Sequence, residues 1–258
     1  MKIKFLGTGP SGRIPRPNCG SWYVCKEARK PGSKSARLQS STFFEFSDFN
    51  ILIDATEDFI KQVKRISGKK IDYVFLTHGH SDAAGGLKQL YKLSKKSNLP
   101  IIHTEKNTKN VLTEDSFWAG FQYKEIKPFQ KIIFNNFSIT PFRVEHAFNS
   151  KFLTLGYLFE VKEKRVVYAS DFKIIPPESK KLIKNADLAI LDCAAYKNPI
   201  PTHQSFPEIL ELAKEMEFEK IYLTQVGIAW PHYEMAQKIV NKQAKNIFIA
   251  YDGLMVTL

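Results

Sequence analysis

Two spacings of apolar residues organise the chain. Short apolar, partly β-branched runs bounded by Gly, Pro, Asn or Asp predict strands, and apolar residues three or four apart predict helices. Residues 1–6 read as a first strand that ends at Gly7-Thr8-Gly9-Pro10. Residues 40–46 and 50–54 read as two strands joined by a short polar turn, and a helix follows to about Ile66 with Thr56 as its cap. Residues 71–76 form a buried-strand pattern, after which Leu87, Leu90, Tyr91 and Leu93 recur at helical spacing. Residues 99–103 predict a short strand. Residues 105–123 are aromatic-rich and less regular, with helical fragments expected over 111–118. Two hairpins follow, 131–134 with 137–144 and 153–161 with 165–169. The rest alternates: helix 176–184, strand 186–192, helix 206–216, strand 221–224, helix 233–241, strand 247–250 and a closing stretch 254–257. Alternation interrupted by hairpins predicts mixed α/β structure, with two sheets face to face and helices outside. No repeat, linker or low-complexity segment interrupts it, so a single domain over residues 1–258 is expected.

The junction between the strand at 71–76 and the following helix carries the chemistry. It reads Thr77-His78-Gly79-His80-Ser81-Asp82-Ala83-Ala84-Gly85-Gly86. Imidazole nitrogen and carboxylate oxygen are the ligands that zinc and similar divalent ions take. Alternate residues of an extended loop point the same way, so His78, His80 and Asp82 can converge on one point.

Composition narrows the setting. With 38 basic and 26 acidic side chains the net charge is +12, and the pI is near 9.4. That balance favours an anionic partner, a phosphoester or a nucleic acid, although the lysines are spread rather than gathered. No apolar run is long enough to span a bilayer, and the first residues pattern as a strand instead of a signal peptide. Cys19, Cys25 and Cys193 do not make a disulfide framework. Buried thiols are the expected state of all three, and a cytoplasmic protein follows.

The HxHxD stretch resembles the HxHxDH signature of the metallo-β-lactamase superfamily, with Ala83 standing where that signature ends in His. Phe5 to Gly9, Gly156-Tyr157-Leu158, Ser170-Asp171, Leu191-Asp192-Cys193 and Ala250 to Gly253 are similar to the PhnP-type phosphodiesterases and tRNase Z-like nucleases of that superfamily. The resemblance implies a four-layer αββα sandwich. It implies one metal held by His78, His80 and His146, with Asp171 as a bridging carboxylate. A second metal would use Asp82 and Asp171, but its two imidazoles are replaced by Ala83 and Gln225. One well-formed site and a weak or absent second one are therefore expected. Zinc is the implied ion, with manganese or iron as alternatives. Asp54 corresponds to a strand-end carboxylate that supports the site loop without touching metal. Cys19 and Cys25 fall where PhnP-type relatives carry a tighter cysteine cluster holding a structural zinc, but two ligands do not close such a site.

By the same resemblance the chain is a metal-dependent hydrolase. A metal-bound hydroxide would attack a cyclic phosphodiester or nucleotide-like substrate, with Asp82 orienting that water or acting as its base. His203 aligns with a general acid near the leaving group. His232 is either a replacement ligand or a packing residue, and His103 a structural one. An RNA-processing nuclease and a non-catalytic metal-containing binding protein are the alternatives. The oligomeric state stays open, a homodimer being compatible with the family.

Overall fold

The computed structural model describes residues 1–20, 22–94, 98–114, 120–146 and 151–258. Its first sheet contains β1 (Lys2–Gly7), β2 (Ser41–Glu45), β3 (Asn50–Ile53), β4 (Tyr73–Phe75), β5 (Ile101–Thr104) and β6 (Gln122–Glu125). The second contains β7 (Ile132–Phe134), β8 (Phe137–Val144), β9 (Thr154–Val161), β10 (Lys164–Ala169), β11 (Leu188–Asp192), β12 (Lys220–Thr224) and β13 (Ile247–Ile249). The last strand, β14 (Met255–Thr257), returns to the first sheet and pairs antiparallel with β1. The strand orders are β14-β1-β2-β3-β4-β5-β6 and β13-β12-β11-β10-β9-β8-β7. In both sheets an antiparallel meander continues into parallel strands, as from β3 through β6 and from β10 through β13.

Helices cover the two outer faces. α2 (Phe59–Gln62), α4 (Leu87–Leu93) and α5 (Lys106–Glu114) pack on the first sheet; α6 (Pro177–Ile183), α7 (Phe206–Met216) and α8 (Tyr233–Gln243) pack on the second. α1 (Tyr23–Ala28) and α3 (Ser81–Ala84) are short connectors. The strands read as continuous apolar runs because both faces are buried. Ile51, Ile53 and Phe75 point between the sheets while Leu52, Val74 and Leu76 meet the outer helices. On the other side Val166, Tyr168, Leu188 and Ile190 face inward while Val167, Ala169, Ala189 and Leu191 face α6, α7 and α8. The result is the expected four-layer αββα sandwich. α7 begins with a capping box in which the Ser205 hydroxyl and backbone N–H both meet Glu208.

Several expectations change. The segment between β1 and β2, for which the apolar spacing predicts no element, contains α1. β6 is a polar edge strand whose burial does not alternate cleanly, so no period-two signal marks it. The helix expected over 111–118 is observed as α5, and residues 115–119 lie outside the described residues. Cys19 and Cys25 are not free thiols but form a disulfide, with their Cα atoms 6.3 Å apart. They hold no accessory zinc, and they no longer argue for a reducing compartment. Cys193 is a buried thiol whose pKa is raised by burial, as packing predicts.

The crossing from β13 to β14 is held by a buried polar cluster. Asp252 accepts the Thr8 hydroxyl at 2.9 Å and the Leu38 N–H at 2.9 Å. Arg37, 3% exposed, donates to Thr8 Oγ1 and to the Ala250 carbonyl, each at 2.6 Å. Among the described residues no helix is long and apolar enough to cross a membrane.

Candidate metal centre

The candidate residues lie just past strand ends on one edge of the sandwich, where loops gather. His78 follows β4, His146 follows β8, Asp171 follows β10, and Gln225 follows β12. Asp54 follows β3 with a left-handed backbone, φ 62°. Its carboxylate accepts the Thr77 N–H at 2.8 Å and meets the Thr77 hydroxyl at 2.9 Å. That hydroxyl also lies 2.9 Å from His78 Nδ1. With His78 Nδ1–H donating to the hydroxyl, the Nε2 lone pair is left facing the site. His78 Nε2 is buried and has no hydrogen-bond partner among the described residues. Asp82 approaches it to 3.6 Å. Gly86 permits the tight return of the loop, since a Cβ there would sit 2.0 Å from the Thr56 carbonyl. The second sheet reaches across as well: Leu155 N–H donates to the Thr77 carbonyl at 2.8 Å, and the Tyr157 hydroxyl donates to Leu76 O.

His146 Nδ1 lies 2.9 Å from the Thr202 carbonyl, an acceptor only, so its Nε2 likewise faces inward with a lone pair. Potential ligand atoms of His78, His80 and His146 come within 4.8 Å of one another, and so do those of His146, Asp171 and His203. His203 is fixed from behind. Its Nδ1 lies 2.6 Å from Asp192 Oδ2, a fully buried carboxylate that also accepts the N–H groups of Phe172 and Ala194. Asp82 joins neither group.

Electrostatics follow from this packing. Burial pushes Asp54 up to about 8, against the opposing effects of His78 and the Thr77 N–H. Positive charge at the imidazole cluster would draw it back toward the carboxylate form. Burial and the neighbouring His78 lower the pKa of His80, keeping it in the neutral form that ligates. Burial alone would lower the pKa of His203, but the charge and hydrogen bond of Asp192 outweigh it and push the ring up to about 9.

Three imidazoles whose ligand atoms lie within 4.8 Å of one another, that of His78 buried and unpartnered, fit a divalent cation. The second position does not fit one. Ala83 is buried and carries no donor atom. Gln225, left-handed at φ 58°, donates its amide N–H to Asp171 Oδ1. The Ser170 hydroxyl donates to Asp171 Oδ2 at 2.8 Å. Both oxygens of the expected bridge are thus engaged by hydrogen-bond donors. His232 joins neither ligand group; it precedes α8 and pairs with Glu234 at 2.9 Å. His103 stacks on Phe75 at 4.3 Å inside the sandwich.

Thr77, Thr202 and Asp192 are the positioning groups that sequence reasoning missed. Asp192 ends a buried strand, where an ionisable residue needs a partner; that was the available signal. The Thr202 carbonyl has none.

Two apposed mixed sheets with a His-rich cluster on one edge define the metallo-β-lactamase class of fold. Residues 49–224 match the β-lactamase superfamily domain, and the chain belongs to that family. It is 23% identical over 265 residues to an octanoyltransferase of Porphyromonas gingivalis, a match covering 98% of this chain and 51% of that protein. A ribonuclease Z of Pyrococcus horikoshii is 32% identical over 176 residues, covering 64% of this chain and 50% of that protein. The chain thus spans about half the length of these relatives. Among solved structures, a diphosphatase of the PhnP family superposes with a TM-score of 0.86 at 25% identity, covering 100% of this chain and 97% of that one.

Proposed function

We propose that residues 1–258 act as one domain, a hydrolase of phosphodiesters that works with one divalent ion, zinc in the first instance. The observation that carries this reading is the convergence of His78, His80 and His146 beside the Asp192-supported His203. His78, His80 and His146 would hold the ion, with Asp171 near it. A bound ion supplies Lewis acidity and lowers the pKa of a coordinated water.

The chain's own groups do the rest. Asp82 borders the cluster and accepts the proton of the attacking water. The water oxygen adds to phosphorus while the bond to the leaving oxygen breaks, its electron pair going to that oxygen. His203, its Nδ1–H fixed by Asp192, delivers the Nε2 proton to the leaving oxygen. The alcohol product and the phosphomonoester account for all atoms of water and diester. The similarity to a ribonuclease Z and to a PhnP-family diphosphatase supports a phosphorus–oxygen bond as the target.

Elemental analysis of gently purified protein, run beside hydrolysis of bis(p-nitrophenyl) phosphate and 2′,3′-cyclic nucleotides, tests this. About one ion per chain with turnover is expected, together with a loss of turnover in His203→Ala of ~100-fold or more at unchanged metal content. A tightly held ion with no turnover on any of these diesters refutes the hydrolase and leaves a metal-containing binding protein.

A further inference from the structure

Beside His203 the structure holds a cavity of about 480 Å³, whose lining includes the polar Ser11, Arg16 and Lys197 and the largely apolar Tyr196 and Ile228. His203 itself forms part of the wall, so the cavity opens directly onto the group assigned to protonate the leaving oxygen. Its size is that of an ordinary small-molecule site, within the range of roughly 300–1,000 Å³. Among the described residues, three basic side chains (Arg16, Lys197 and His203) and no carboxylate line it.

Neighbouring cations, by contrast, are paired with carboxylates. Arg13, three residues before Arg16, is held by Asp58 at 2.7 Å and by Glu57 at 3.9 Å. A second groove, between α6 and α7, mixes Lys173 and Lys180 with Glu208, Glu211 and Glu215, and both lysines are paired there. Arg16 and Lys197 have no carboxylate partner among the described residues. The Arg16 guanidinium lies over Gly12, where a Cβ would meet its Nε at 2.6 Å. Its backbone N–H donates to Cys19 Sγ at 3.1 Å, so the disulfide steadies the loop that presents it. Lys197 Nζ sits 5.3 Å from the ring of Tyr196, which packs 5.1 Å from Trp230. Two unpaired cations at the rim of a cavity with an aromatic wall form a receptor for an anion joined to a planar body.

We propose that this cavity is the leaving-group subsite and that it selects linear phosphodiesters whose leaving group is a nucleotide bearing its own phosphate. The assignment rests on the phosphodiester reading of the metal centre. Arg16 and Lys197 hold the distal phosphate, Tyr196 faces the base, and His203 meets the oxygen that departs. A neutral alcohol leaving group gains nothing from either cation.

The test has a binding arm and a turnover arm. Calorimetric titration of chelator-treated protein with adenosine 3′-monophosphate and with adenosine reads the subsite without turnover. The nucleotide should bind about tenfold or more tightly than the nucleoside, as charge-assisted bonds to a phosphate warrant. Arg16→Gln/Lys197→Gln should abolish that preference, and Lys197→Gln alone, at an exposed side chain, should reduce it. In turnover, uridylyl-(3′→5′)-adenosine carrying a 3′-phosphate should exceed the same dinucleotide without it by a similar factor in kcat/KM, and the double variant should bring the ratio near one. Equal binding of nucleotide and nucleoside, or a preference that survives in the double variant, overturns the subsite. If the plain diesters are hydrolysed while that preference is missing, the subsite falls and the hydrolase stands. If the preference is present and no diester is cleaved, the anion subsite stands as a binding pocket, but its assignment to a leaving group falls with the hydrolase.

Discussion

Thr77→Val isolates the contact that aims His78. Valine keeps the shape of threonine and removes only the hydroxyl, which lies 2.9 Å from Asp54 Oδ2 and 2.9 Å from His78 Nδ1. Both partners are 1% exposed, so water cannot replace what is lost. Two buried polar atoms are left unsatisfied at ~1–3 kcal/mol each, and the added methyl recovers part of that. A net loss of about 2–4 kcal/mol of stability is expected, within what a domain of this size tolerates. The ring is also freed to rotate or change tautomer, and losses of such orienting partners typically weaken metal binding by about 10–100-fold. Urea unfolding of chelator-treated protein measures the first effect, and competition against a fluorescent chelator measures the second. A variant that binds zinc as tightly as the parent would refute the argument that Thr77 orients a ligand, even if it were less stable. One that loses affinity without losing stability would show that the Asp54 bond contributes little to the fold.

Two further outcomes follow. Ala83→His/Gln225→His puts back both imidazoles and removes the amide that occupies Asp171, so metal content should rise from about one ion per chain to about two; an unchanged content would mean that a further group closes the second position. Asp252 sets a pH dependence of stability. Burial raises its pKa from 3.8 to about 6 in the fold, so between those values the folded state binds more protons than the unfolded chain. Its contribution is therefore full below pH 4 and is lost as pH rises toward 6, by up to about 3 kcal/mol. The stability difference between the parent and Asp252→Asn should therefore fall by about that amount across the window in urea titrations, and a difference that stays level or grows with pH would contradict the assignment.

The parts of the site that were legible in the sequence are those in which the chemistry is local. His78, His80 and Asp82 lie within one loop flanked by clear strand and helix spacings, and that compactness is itself the signal. His146, Asp171 and His203 are separated by whole secondary-structure elements, and only resemblance to a family pointed to them. Their tuning partners were less legible still. A backbone carbonyl, that of Thr202, has no side-chain identity to read, and Asp192 looked like the end of a strand. In the sequence Gln225 is only a missing ligand, whereas in the fold its amide takes up a carboxylate oxygen that a second ion would need. Cys19 and Cys25 were read from spacing, but whether two thiols pair depends on how the loop folds back, which spacing does not specify. The sandwich was legible because its strands alternate between two apolar faces; β6, polar and at an edge, lacked that contrast.

The bonds from Leu155 and Tyr157 to the Thr77 and Leu76 carbonyls bear on how the protein matures. They join a loop made by the first half of the chain to a strand made by the second, and His146, the third imidazole, also arrives with that later half. A nascent chain that has emerged only through β6 can offer an ion two imidazoles, from a loop held by Asp54 but not yet by Leu155 and Tyr157. If the centre holds an ion as proposed, its third imidazole would arrive only once both halves have docked, so that cofactor acquisition would close assembly and report that the earlier steps succeeded.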